Sequence, residues 1–278
     1  MVVIFLLSLF FILPPAVFYI MILAISTIIN LLDGTGKKFR LIYLYWYFTG
    51  ALSYIAYYLA YIFVVPPCMV WKLLGIGKTE PEANVNDGTV VILVNGYLAT
   101  SCHWFLFKWR LQRILGRGRV ATFSYRIFGG SLEDWSNKLA EKVSRLNCTN
   151  VILIGQSLGG LISFWTAAKL KNRSGVKTVR VVSLGSPFAG SKMASFALTS
   201  YGRKLRPGMP EIAKTAELLR QGGVVMTCFW SELDLIIVPS ESAAPCAPNG
   251  PASGEIICKE LEGISHAGYY FIDPKRVI

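Results

Sequence analysis

Five consecutive residues, Gly155-Gln156-Ser157-Leu158-Gly159, have the types and spacing of a tight turn that presents a serine. They follow Val151-Ile152-Leu153-Ile154, a β-branched and apolar run that reads as a buried strand, and they precede Leu161 to Leu170, which reads as a helix. A serine at such a strand-to-helix turn is forced outward. The flanking glycines are required because a Cβ there would collide with the neighbouring strand or helix. The helix N-terminus behind the serine favours developing negative charge. The pattern alone also fits an ordinary glycine-rich turn; the strand before it and the helix after it favour a nucleophile.

A serine hydroxyl needs a base, and the base needs an orienting carboxylate. The chain has 2 histidines, His103 and His266. At a turn of this kind the working order along the chain is serine, acid, histidine, and only His266 lies beyond Ser157. Asp234 is the one aspartate between them, just past the strand-like run Val224 to Trp230. An acid at the C-terminal end of a strand lies on the same sheet edge as the serine. Glu232 is the alternative acid. His266 sits among small residues, Gly263-Ile264-Ser265-His266-Ala267-Gly268, after the expected strand Glu255 to Cys258. An oxyanion needs two preorganised donors. The backbone N–H groups of Leu158, after the nucleophile, and of Tyr97, after the expected strand Val90 to Val94, are the candidates.

The elements that must position these groups alternate. Val120 to Ser124 and Val179 to Leu184 read as further strands. Ser131 opens a helix as a capping residue with acids in its first turn, and Leu132, Trp135, Leu139 and Val143 recur at helical spacing as core. The alternation predicts an α/β fold, a mainly parallel sheet with helices on both faces.

From about Thr89 to the end the chain resembles the α/β-hydrolase superfamily, and within it the bacterial triacylglycerol lipase and esterase group. The resemblance rests on Asn95-Gly96, on Gly155 to Gly160, on Ser186-Pro187-Phe188-Ala189-Gly190-Ser191, on Asp234 to Pro239 and on His266. Asn95, Gln156 and Phe188 stand where the group carries histidines outside the triad. The resemblance implies a carboxylic ester hydrolase with Ser157, Asp234 and His266 as catalytic residues, Tyr97 and Leu158 as oxyanion donors, and no cofactor or metal. The same triad would serve an acyltransferase, and a hydrolase fold can also be a catalytically silent membrane scaffold.

The first third differs in kind. Val2 to Leu32 carries no charged residue, and neither does Leu41 to Val65, which is rich in tyrosine. A helix of ~20 apolar residues spans a bilayer. The expectation is a transmembrane hairpin over 2–32 and 41–65 within an anchor 1–77, then a linker 78–88, then a catalytic domain 89–278 with a cap or lid at about 191–222. A cleaved signal peptide is the alternative for the first stretch, but it lacks a basic start and its apolar run is too long. Pro14-Pro15 should kink or tilt the first helix.

Composition agrees: 278 residues, 53% hydrophobic, formal net charge +12, mean hydropathy +0.48. Basic excess on such a chain points to anionic lipid head groups, and no nucleic-acid signature appears. Lys108, Arg110, Arg113, Arg117 and Arg119 interleave with aromatics, and Arg203, Lys204 and Arg206 follow an apolar segment. Each group reads as a membrane-seating surface or as a solvated helix face. The 6 cysteines have no zinc-like spacing; Cys246 and Cys258 would pair in an oxidising compartment. The expected partners are the lipid bilayer and an acyl ester. The expected location is a bacterial inner membrane, with the domain on the periplasmic side. Oligomeric state is not legible.

Overall fold

Strands of continuous apolar residues are those of sheets covered on both faces, and the central strands here have that character. The computed structural model describes residues 2–32, 42–63, 88–125, 130–146, 148–171, 178–197, 199–246 and 256–278. Among them, β1 (Thr89–Val94), β2 (Val120–Phe123), β3 (Asn150–Gln156), β4 (Thr178–Leu184), β5 (Val225–Trp230) and β6 (Ile256–Glu260) form one sheet in the order β2-β1-β3-β4-β5-β6. Every pairing is parallel. All strand C-termini therefore meet one edge. The chain leaves β1 towards one side and returns to the other for β3, which makes the crevice between β1 and β3 the place where such sheets bind ligands.

After the two N-terminal helices, α1 (Val2–Leu32) and α2 (Ile42–Phe63), the helices between the strands cover both faces of the sheet. One face carries a short 3₁₀ turn, Ser101–Trp104, helix α3 (Phe105–Leu115) and the C-terminal tail. Trp104, Phe107, Leu111, Tyr269, Tyr270 and Ile272 are buried there against Val91, Leu93 and Ile154. The other carries α4 (Leu132–Ser144) and α5 (Leu158–Leu170), with Trp135, Leu139, Leu161 and Phe164 buried on Val90, Ile92 and Leu153. Burying one such side chain fully stabilises by about 1.5–3 kcal/mol. Helix α4 starts as expected: Ser131 Oγ accepts from the Asp134 N–H at 3.1 Å, and Asp134 Oδ2 accepts from the Ser131 N–H at 3.0 Å, a reciprocal cap worth about 1 kcal/mol.

The segment expected as a cap at 191–222 divides. Lys192–Phe196 and α6 (Ser200–Arg203) lie near the sheet edge, where Tyr97 Oη bonds Thr199 Oγ1 at 2.9 Å. Helix α7 (Pro210–Gln221) does not belong to a lid. It is the crossover between β4 and β5, docked on α5 through Trp165 Nε1 donating to Thr215 Oγ1 at 2.9 Å.

The N-terminal third is helical where the sequence predicts it. Helix α1 is Val2–Leu32 and runs through Pro14 and Pro15; α2 is Ile42–Phe63. Side chains in the pair are described over 14–29, 32, 45–59, 62 and 63. Among the described residues no helix is long and apolar enough to cross a membrane, so the expected pair of spanning helices is not supported by the structure. What the described side chains do show is docking. Tyr19, Ile22 and Tyr54 are buried with Met193, Leu235, Val238 and Ala267. The expected turn at 33–40, the surface segment 69–74 and most of the linker lie outside the described residues.

Candidate active site

Ser157 sits between β3 and α5 with φ 53° and ψ −123°. A non-glycine residue in this region costs on the order of 1–3 kcal/mol and persists only when its surroundings fix it. They do. The Ser157 N–H donates to the Leu184 carbonyl at 2.9 Å. A Cβ at Gly155 would lie 2.3 Å from the Gly159 backbone, and one at Gly159 would lie 2.3 Å from the Val94 carbonyl oxygen. The first glycine lets helix approach strand; the second lets the helix approach β1.

Asp234 follows β5 and His266 follows β6, on the same edge. Asp234 is 3% exposed. Its Oδ1 accepts from the Ile236 and Ile237 N–H groups, both at 3.1 Å. Its Oδ2 is 2.7 Å from His266 Nδ1. The carboxylate is an acceptor, so Nδ1 carries the proton and Nε2 is left to accept one. The acid that meets His266 is Asp234 rather than the alternative Glu232.

Two side chains tie the three loops together, and sequence reasoning missed both roles. Gln156, immediately before the serine, donates through Nε2 to the His266 carbonyl at 3.2 Å. The Tyr270 hydroxyl donates to Gln156 Oε1 at 3.0 Å and accepts from the Gly96 N–H at 3.1 Å. Burial pushes the Tyr270 phenol well above its ordinary value, so it remains a neutral donor at any working pH. The only sequence signal was the aromatic run Tyr269-Tyr270-Phe271 just past the histidine loop.

The loop after β1 is shaped by its neighbours. The Ala99 N–H bonds the Gly96 carbonyl at 3.3 Å around Leu98, whose φ is 57°. Asn95 Nδ2 donates to the Ala99 carbonyl at 2.7 Å, and the Tyr125 hydroxyl donates to the Asn95 carbonyl at 3.1 Å. A Cβ on Gly96 would lie 3.1 Å from Ser157 Cβ, so this loop passes close to Ser157. The N–H groups of Tyr97 and Leu158 donate to no protein acceptor among the described residues. His103, the other histidine, is buried in the Ser101–Trp104 turn, 4.7 Å from Tyr57 of α2 in a stacked arrangement. Among the described residues no cluster of histidine, cysteine or acid groups could hold a metal.

The fold is an α/β fold of parallel strands with a tight, serine-bearing turn after β3. Residues 97–206 match the family of class 3 lipases. The matched stretch contains Tyr97, Ser157 and Leu158 and stops before Asp234 and His266. On this match the chain is a carboxylic ester hydrolase. Among solved structures it is similar to a gene product of Listeria innocua (16% identity, TM-score 0.48, covering 68% of this chain and 90% of that one). It is also similar to a Bacillus licheniformis lipase in mature form (15% identity, TM-score 0.48, covering 65% and 86%). A third likeness is to a carboxylesterase of Bacillus subtilis (12% identity, TM-score 0.43, covering 66% and 79%). No curated protein matches.

Proposed function

We propose that this chain is a membrane-anchored lipase or esterase that cleaves lipid acyl esters through a Ser157-Asp234-His266 triad and an acyl-enzyme. The observation that carries the reading is the Asp234–His266 hydrogen bond of 2.7 Å on the sheet edge where Ser157 is held at φ 53°. Ser157 Oγ attacks the ester carbonyl while His266 Nε2 takes its proton. The C–O bond to the alcohol breaks, and His266 returns the proton to the leaving oxygen. Water, deprotonated by His266, then adds to the acyl-serine carbon and releases the acid and Ser157. Asp234 holds the imidazole tautomer and stabilises the imidazolium. The Tyr97 and Leu158 N–H groups, which have no protein acceptor among the described residues, would hold the developing oxyanion; losing one such donor costs roughly 100- to 1000-fold.

The anchor is part of this proposal. Its support is the uncharged run Val2 to Leu32, helical along its length. Lipid seating is further supported by α3, which leaves Phe105, Trp109 and Ile114 exposed, with the Arg113 guanidinium 5.0 Å over the Trp109 ring. Aromatic rings beside basic side chains suit an anionic interface. The periplasmic side is proposed for the domain on grounds of charge and disulfide pairing argued below.

Labelling with a serine-reactive fluorophosphonate tests the core of the reading. The wild-type chain is expected to label and to hydrolyse a short-chain ester. Ser157→Ala should abolish both, and His266→Ala should lower turnover by orders of magnitude. Asp234→Asn should lower turnover far more than Glu232→Gln. Full activity in Ser157→Ala would overturn the assignment.

A further inference from the structure

Helix α2 presents one stripe to the catalytic loops. Trp46, Gly50, Ser53, Tyr54 and Tyr57 fall at helical spacing and share a face. Gly50 lies against Tyr19 of α1; the other four each meet a loop that carries chemistry or braces it. A Cβ on Gly263, whose φ is 71°, would lie 2.8 Å from Trp46 Cδ1, so this glycine lets the histidine loop close on the helix. Tyr54 is buried with Leu235 and Val238, just beyond Asp234, and with Ala267, just beyond His266. Tyr57 stacks on His103 and lies 5.8 Å from Tyr270, the side chain that joins Gly96 to Gln156.

The tightest link is at Ser53. Its hydroxyl donates to the Gly50 carbonyl at 2.7 Å and hydrogen-bonds Ser265 Oγ. A hydroxyl has one proton. Ser53 has given its own to Gly50, so Ser265 is the donor to Ser53. Ser265 Oγ in turn accepts from the Gly268 N–H at 3.2 Å. The chain of donors therefore runs from the histidine loop into the helix, from Gly268 through Ser265 and Ser53 to Gly50, and His266 lies inside it. Ser265 is 4% exposed; bonds within such a buried network are costly to leave half made.

We propose that α2 is a positioning element of the catalytic site, holding the His266 loop from its far side through Ser53, so that turnover depends on the helix being docked. The inference rests on His266 being the base. A displaced base is expensive, because a 1 Å misplacement can cost about 100-fold. In this arrangement the N-terminal hairpin is a working part of the enzyme as well as its tether.

The test uses the full chain in detergent micelles with a soluble short-chain ester. Ser53→Ala should lower kcat about tenfold, the effect of one lost hydrogen bond, with KM unchanged and a small fall in thermal midpoint from the buried Ser265 hydroxyl left without its acceptor. Ser53→Thr keeps the hydroxyl and should restore kcat. Leu52→Ala, on the exposed face of the same helix, should match wild type. Tyr57→Leu should lower kcat as well. Full kcat in both Ser53→Ala and Tyr57→Leu would overturn the proposal. So would a loss in Ser53→Ala that tracks a fall in thermal midpoint and is not rescued by threonine, or an equal loss in Leu52→Ala. Ser157→Ala separates the two readings. If it stays active, the triad itself fails; if it is dead while Ser53→Ala is at wild-type level, only the positioning role fails.

Discussion

At the scale of single residues, the site is an exercise in packing hydrogen-bonding groups where little water reaches. Tyr270 shows this best. Its hydroxyl serves the oxyanion loop through Gly96 and the nucleophile turn through Gln156. Tyr270→Phe keeps the ring on Trp104, 4.8 Å away, but leaves a buried N–H and a buried amide oxygen each short of a partner. Each costs roughly 1–3 kcal/mol. The expected outcome is a lower thermal midpoint together with a fall in kcat/KM, since both ends of the bridge belong to the site; kcat/KM at wild-type level would show that the bridge supports the fold alone. That Asp234 meets His266 on the sheet edge of Ser157 was legible in the sequence, because chemistry restricts such groups to few residue types and a fixed order. Tyr270 was not. Its partners lie 174 and 114 positions away, and nothing in periodicity announces a hydroxyl bridging so distant segments.

At the scale of elements, strands and helices of the sheet were legible from apolar runs and from the Ser131 cap. The role of α7 was not, because a crossover helix and a lid have the same amphipathic pattern, and only its docking on Trp165 distinguishes them. The docking face of α2 was not legible either: in a stretch that reads only as uncharged and rich in tyrosine, nothing singles out Tyr54 and Tyr57 as the residues that meet the catalytic domain. The Ser101–Trp104 turn under Tyr57 gives this docking a pH dependence. Burial lowers the His103 pKa from its ordinary 6.5, outweighing a bond to the Thr100 backbone. A histidine held neutral in the fold but free to ionise when unfolded takes up more protons in the unfolded state. Stability is then full above about pH 6.5 and falls as pH drops through that value towards the lower folded pKa. Thermal midpoints measured between pH 7.5 and 5 should decline in the wild type and decline less in His103→Gln. Equal slopes in the two would remove His103 as the cause.

At the scale of the whole molecule, the docked hairpin couples the orientation of the domain to that of the N-terminal helices. A hairpin that spans the bilayer returns the chain to the side from which it started, so the N-terminus and the domain share a side. Residues 33–40, between the two helices, include Lys37, Lys38 and Arg40, against Lys72 and Lys78 beyond the second helix. Basic residues in short loops stay in the cytoplasm. On the proposed topology this favours residues 33–40 inside and the domain outside, by a narrow margin. The disulfide leans the same way. Cys246 and Cys258 are bonded across a separation of 12 residues, and such bonds persist mainly outside the cytosol. Closing a loop of about that length is worth roughly 3 kcal/mol, and Cys102 is disulfide-bonded as well, so a reductant should lower the thermal midpoint of the purified chain and lower it less in a Cys246→Ser, Cys258→Ser double variant. Protease added to intact spheroplasts should then digest the domain. A domain protected until the membrane is lysed would place it in the cytoplasm, where the thiols would stay reduced and the charge argument from Lys37 to Arg40 would have to be reversed.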